Sequence, residues 1–224
     1  MKKVLLALFA ISIATLTFAG LPKEFKGTIT YKITYEGDEI SEQMLTYLPK
    51  TMMTYFRDEL TRTDLIMGMG KTIKIKDGED KSVVSLFDMM GQKVGFTSDY
   101  EEIQESMEDE PDPEIEIRNE TKEILGYECK RAVIKVEGPG GETVRMNAWF
   151  TEELGDNSNY FDTPEFKDIK GIMLQFEMHA PQFNMIFTAA DIDTKKVSKN
   201  QFEIPEGYEM KSKEEIEAMF GGGM

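Results

Sequence analysis

The chain has 224 residues, 42 of them acidic and 26 basic, for a formal net charge of −16. So negative a surface will not draw the chain to nucleic acid or to the anionic headgroups of a membrane surface. One histidine and one cysteine leave no internal disulfide and no histidine–cysteine zinc site, and they remove the usual machinery of nucleophilic catalysis.

The first 19 residues read as a secretory leader. Lys2 and Lys3 supply the positive start, residues 4–16 form an apolar run too short to span a bilayer, and Thr17 and Ala19 are the small residues before a cut at Gly20. No cysteine follows the cut, which points away from lipidation there, and no second apolar run approaches spanning length. The expected product is an acidic protein without a transmembrane anchor, periplasmic or secreted, with residues 20–224 forming one domain.

Residues 25–35, FKGTITYKITY, organise the rest of the chain. Phe25, Ile29, Tyr31, Ile33 and Tyr35 alternate with lysine and threonine, so the segment has one greasy and one wet face at the period of a strand. Further strands are expected at 44–48, 51–57, 60–67, 72–76, 83–87 and 93–97. Turn signals at Gly37-Asp38, Leu48-Pro49, Asp77-Gly78 and Met90-Gly91 separate them. Asp77-Gly78 predicts a hairpin between 71–77 and 79–86. Residues 98–108 break the pattern: Ser98 with Glu101 reads as a capping box, and Tyr100, Ile103 and Met107 share one helical face. The acidic run 108–116, holding Pro111 and Pro113, reads as a solvated connector.

The second half predicts strands at 127–136 and 142–150 about a Gly138-Pro139-Gly140-Gly141 turn, an irregular stretch over 151–171, and a hairpin of 172–178 with 183–188 across Ala180-Pro181. Residues 202–205 are read as an edge strand. Ser212 and Glu215 form a second capping box, for a helix over 212–220 striped by Ile216, Met219 and Phe220, and the glycines at 221–223 should fray. The total is about eleven strands with two or three helices. That is a mainly β, β-rich α+β chain whose long antiparallel sheet must curl into a barrel or half-barrel.

No motif specifies a reaction. Gly68-Met69-Gly70-Lys71-Thr72 ends like a phosphate-binding loop, but Leu65 stands where the motif needs glycine, so no nucleotide is expected. His179 lies on a predicted strand and reads as structural. Asp156-Asn157-Ser158-Asn159 lacks the twelve-residue calcium-loop pattern. Cys129, in YECKRAVIKV, reads as a buried small hydrophobe. The 16 methionines are the unusual feature, clustering at Met52-Met53, Met67 and Met69, Met89-Met90, and Met173, Met178 and Met185. Thioethers suit copper(I); they also line adaptable apolar surfaces.

Four segments carry a resemblance: FKGTITYKITYEG, LPKTMMTYFRDELTRTD, ETKEILGYECKRAVI and FEIPEGYE. Together, across most of the mature chain, they resemble a family of exported bacterial proteins known as a domain of unknown function and related in fold to the LolA and LolB lipoprotein carriers. The resemblance implies a curved antiparallel half-barrel closed by helices around an apolar cavity, which in the carriers holds lipoprotein acyl chains. The arginine with which those carriers close their lid has no counterpart placed here, and no site residue is transferred.

The expectation is therefore a non-enzymatic binding protein without a cofactor or metal, holding a lipid acyl chain or a lipidated protein. The wall residues read from the alternation are Ile29, Tyr31, Ile33, Tyr35, Met44, Phe56, Phe87, Met146, Phe176 and Met178, with one of the two helices as lid. At about 0.8 kcal/mol per buried methylene, a sixteen-carbon tail offers on the order of 12 kcal/mol before immobilisation costs. Two alternatives stand beside it: an envelope protein–protein interaction module with a solid interior, and copper(I) binding by Met67, Met69, Met89 and Met90.

Overall fold

A computed structural model describes residues 24–37, 40–108, 111–138, 141–156, 160–180 and 182–220. The leader, the Pro139-Gly140 tip, Pro181 and the glycine run at 221–223 lie outside the described residues. So do Asp38 of the first turn signal and Asn157 to Asn159 of the calcium-like stretch.

The described residues form twelve strands: β1 Gly27–Glu36, β2 Thr51–Arg57, β3 Leu60–Met67, β4 Gly70–Asp77, β5 Ser82–Met89, β6 Gln92–Ser98, β7 Glu114–Ile124, β8 Tyr127–Glu137, β9 Thr143–Thr151, β10 Ile172–Ala180, β11 Phe183–Asp193 and β12 Glu209–Met210. Three α-helices accompany them: α1 Glu42–Tyr47, α2 Tyr100–Met107 and α3 Lys213–Phe220. The strands join one sheet in the order β12-β6-β5-β4-β3-β2-β1-β11-β10-β9-β8-β7. All pairings are antiparallel except β12 with β6. This is the mainly β, curled, open sheet that the alternation predicts.

The organising stretch is central in space. β1 pairs β2 on one side and β11 on the other, so it joins the first-half meander to the second. A strand in that place is buried along its apolar face: Ile29, Tyr31 and Ile33 are all inaccessible, and Phe25 packs edge-on against Phe56 at 5.3 Å between ring centres. Two turns show how the meander reverses. Met90-Gly91 and Leu125-Gly126 each hold two successive residues at positive φ, the backbone that matches the twist of a tight hairpin.

The structure departs from the sequence expectations at several elements. Residues 44–48 are no strand. Ser41 caps α1 through its Oγ, which accepts from the Met44 amide at 3.1 Å, so Met44 sits half-buried on a helical turn. The cap of α2 is Asp99 with Glu102, one residue later than Ser98 with Glu101; a carboxylate accepting the N3 amide at 3.0 Å displaces the serine. Residues 114–116 of the supposed connector begin β7, because Ile115 and Ile117 reach β8 opposite Ile134 and Ala132. The β4–β5 loop is four residues: Asp77 pairs Ser82, and its carboxylate accepts the Glu79 and Asp80 amides. Residues 202–205 form no edge strand. Phe202 ends a 3-10 turn, Lys199–Phe202, and the short β12 follows seven residues later. The Ser212–Glu215 box of α3 is present in both directions, at 3.2 and 3.0 Å.

Each face of the sheet has its own cover. Residues 160–171, the strap, cross one face and bury Phe166 and Ile169 against the main core. The C-terminal segment runs along the other face. There Arg57 and Arg62 donate to the Val197 and Gln201 carbonyls at 2.7 and 2.8 Å, and Phe202 packs on Ile73, Ile75 and Leu86. Among the described residues no helix is long and apolar enough to cross a membrane.

Candidate functional site: a two-sided cavity under the strap

Between the strap and the sheet lies a cavity of about 450 Å³. Its walls come from β1 to β5, β10, β11 and the strap, so it exists only because the sheet curls. One side is soft and apolar. Register places Phe176 opposite Phe187 and Met178 opposite Met185, and the two phenylalanine rings stack at 4.6 Å and 3°. Phe166 of the strap and Tyr31 of β1 meet the Phe176 ring edge-on, at 5.9 and 5.7 Å. Met52 and Met173 complete this wall.

The opposite side is mixed, with polar groups set beside Leu65, Leu86 and Phe87. Thr54, Thr61, Thr63, Thr72 and Ser85 present hydroxyls to the cavity, and Lys74 and Lys76 reach it from β4. Asp162 descends from the strap between them. Its carboxylate accepts from Lys76 at 2.9 Å and from Lys74 at 3.4 Å. The Asp162 side chain is 6% exposed, Lys76 13% and Lys74 48%, so the group spans from interior to rim. Burial alone would raise the Asp162 carboxyl, but the charges of Lys76 and Lys74 outweigh that and hold it below its ordinary range. Tyr160 lies above the Lys76 ammonium, 5.9 Å from ring centre to nitrogen. Burial pushes the phenols of Tyr31 and Tyr160 far up, with further contributions from Tyr160 and Asp156 respectively, so both remain neutral donors.

The ten wall residues read from the sequence divide. Tyr31, Phe56, Phe87, Phe176 and Met178 line the cavity. Ile29 and Ile33 share the face of Tyr31 but are sealed into the core. Tyr35 lies beyond the rim, donating its hydroxyl to the Pro49 carbonyl. Met146 is buried in the core and reaches a separate surface groove near Pro111 and His179. Met44 is on α1, away from the cavity. The helices do not roof it either. The lining includes strap residues and none from α2 or α3, although Phe220 of α3 meets Phe87 of the lining at 5.8 Å between ring centres.

The polar wall was not read from the sequence, for an identifiable reason. On β4 the apolar Ile73 and Ile75 pack with Phe202 of the C-terminal segment, and although Ile73 also borders the cavity, Thr72, Lys74 and Lys76 take that side. Alternation finds the apolar face of a strand but cannot say which of two covers it meets. The TIKIK pattern, with lysines on the complementary face, is the one available signal for Lys74 and Lys76. Nothing in the sequence marks Asp162 among 42 acidic residues.

A larger hollow of about 610 Å³ lies outside, between α2 and the strap, bordered by Glu101, Glu105, Glu108 and Asp112. Its acidic rim distinguishes it from the interior site. Cys129 is fully buried, and burial pushes its thiol up to about 11. The exposed Met69 and Met90 sit on the β3–β4 and β5–β6 turns, which register brings to one end of the sheet, Gly70 lying opposite Met89.

No protein-family model matches the chain, and no curated protein matches it. Among solved structures the chain is similar to the crystal structure of LprF from Mycobacterium bovis, at 11% identity and a TM-score of 0.33, over 77% of this chain and 88% of that one.

Proposed function

We propose that this is an exported, non-enzymatic binding protein that holds a lipid acyl chain, free or attached to a partner, in the cavity under the strap. The observation that carries the reading is the 450 Å³ space walled on one side by Phe176, Phe187, Met178, Met185, Met52 and Met173. A wall of that composition gains energy from any hydrocarbon that fills it, and thioethers adapt to its shape at small cost. Pockets of about 300–1,000 Å³ are the usual size for small-molecule sites. The leader-like start supports export, and the resemblance to half-barrel carriers fits the same reading. An interaction module with a solid interior would have no use for this space.

The test is lipid extraction from protein purified under native conditions, followed by mass spectrometry. Acyl lipid at near one equivalent is the expected result; its absence, with failure of the stripped protein to bind a fluorescent fatty acid, overturns the reading.

A second reading has one observation in its favour. Register gathers the turns that carry Met67, Met69, Met89 and Met90 at one end of the sheet, which suits a thioether site for copper(I). Competition against a chelator of known copper(I) affinity tests it; binding no tighter than free methionine removes it.

A further inference from the structure

We infer that the cavity's ligand is a single-chain amphiphile with a carboxylate head, of the fatty-acid type, and that its head takes the place of Asp162 between Lys74 and Lys76. This deepens the acyl-binding reading and rests on it. Three observations lead there.

The first is size. An engineered apolar cavity of about 150 Å³ takes one benzene. The present cavity, at about 450 Å³, is three times that and matches one long hydrocarbon chain rather than the two or three of a membrane-anchored lipid.

The second is the division of the walls. A purely hydrocarbon ligand would leave the hydroxyls of Thr61, Thr72 and Ser85 facing oil, at a cost of a few kcal/mol for each polar group without a partner. An amphiphile lays its tail along Phe176 and Met178 and its head against β4. Both walls are then satisfied by one molecule.

The third is charge. Two ammonium groups converge on a single carboxylate at 2.9 and 3.4 Å, so the cluster carries one net positive charge and attracts an anion. The group already held there is a carboxylate, and a ligand carboxylate reproduces its charge, planarity and two acceptor oxygens. Exchange of one for the other preserves the hydrogen bonds of both lysines, whereas a cationic or neutral head does not.

The experiment is isothermal titration of the stripped full-length protein with palmitate, hexadecanol and hexadecyltrimethylammonium, each below its aggregation threshold. Palmitate is expected to bind tightest. Lys76→Met should weaken palmitate about tenfold, the scale of one charged hydrogen bond, and weaken hexadecanol clearly less. Lys76→Arg should restore palmitate, which separates loss of charge from loss of fold. Asp162→Asn removes the internal competitor and should tighten palmitate binding. Equal affinity for palmitate and hexadecanol, both indifferent to Lys76, overturns the head-group assignment and leaves acyl binding standing. Weaker palmitate binding by Asp162→Asn overturns the exchange. Failure of all three ligands to bind overturns the acyl-binding reading itself.

Discussion

The Tyr31 hydroxyl donates a 2.8 Å hydrogen bond to the carbonyl of Met173, 142 residues further along the chain. Met173 stands where the β9–β10 register shifts, so its carbonyl is one that the ladder leaves available. The bond ties the central strand to the wall strand beside which the cavity opens. Tyr31→Phe strips the donor and leaves that carbonyl unmet. We expect a loss of about 1–2 kcal/mol, read as a lower urea midpoint with an unchanged slope.

Asp162 makes the strap sensitive to acid. Its folded-state carboxyl is held below the ordinary 3.8 by the two lysines. A depressed carboxylate contributes stability above its unfolded value and loses it as pH falls through the folded one. Amide hydrogen exchange in residues 160–171 should therefore quicken below about pH 4, while the sheet stays protected. In Asp162→Asn the strap should exchange faster at neutral pH and show no such step.

On the opposite face, Arg62 and Asp64 form a buried two-point ion pair at 2.6 and 3.1 Å, with Lys71 2.8 Å from the same carboxylate. Removing one partner strands the others, so Arg62→Ala should cost about 3–5 kcal/mol. Part of that loss is the tether to the Gln201 carbonyl. Replacing both with apolar residues, as Arg62→Met with Asp64→Leu, should cost clearly less than the single change. Chemical denaturation of the three proteins decides it.

Cys129 should be inert toward thiol reagents. Its thiol is buried and its pKa is pushed up to about 11, chiefly by burial, so almost none is thiolate at pH 8. An aromatic disulfide reagent should label the folded protein at least about a hundredfold more slowly than the protein in urea. Comparable rates in the two states would contradict its burial.

Filling the cavity should separate stability from binding. Met185→Trp places a larger side chain into space that the wild type leaves open. Its thermal midpoint should hold or rise, since binding sites sit below the stability optimum of their fold. Its uptake of a fluorescent fatty acid should fall by more than tenfold, roughly the loss of two methylenes of burial.

Much of this architecture was legible in residue order. The alternation in 25–35 named the central strand, and paired turn residues such as Met90-Gly91 placed hairpins where they occur. Where the reading slipped, a local rule competed with a tertiary one. Met44 and Leu48 suit a strand, but the Ser41 cap starts a helix that takes in Met44 and ends at Leu48. Ile115 and Ile117 sit in so acidic a context that only their partners in β8 reveal a strand.

The sequence by itself determined that this chain builds a long antiparallel sheet with an apolar face, because period-two alternation needs no knowledge of distant contacts. Only the tertiary structure decided where that face is left open. Curling and the choice of cover are global properties: the same alternation that turns Tyr31 toward the cavity turns Ile75 toward the C-terminal segment. The meeting of Asp162 with Lys74 and Lys76, across 88 and 86 residues, follows from the path of the strap over the curled sheet.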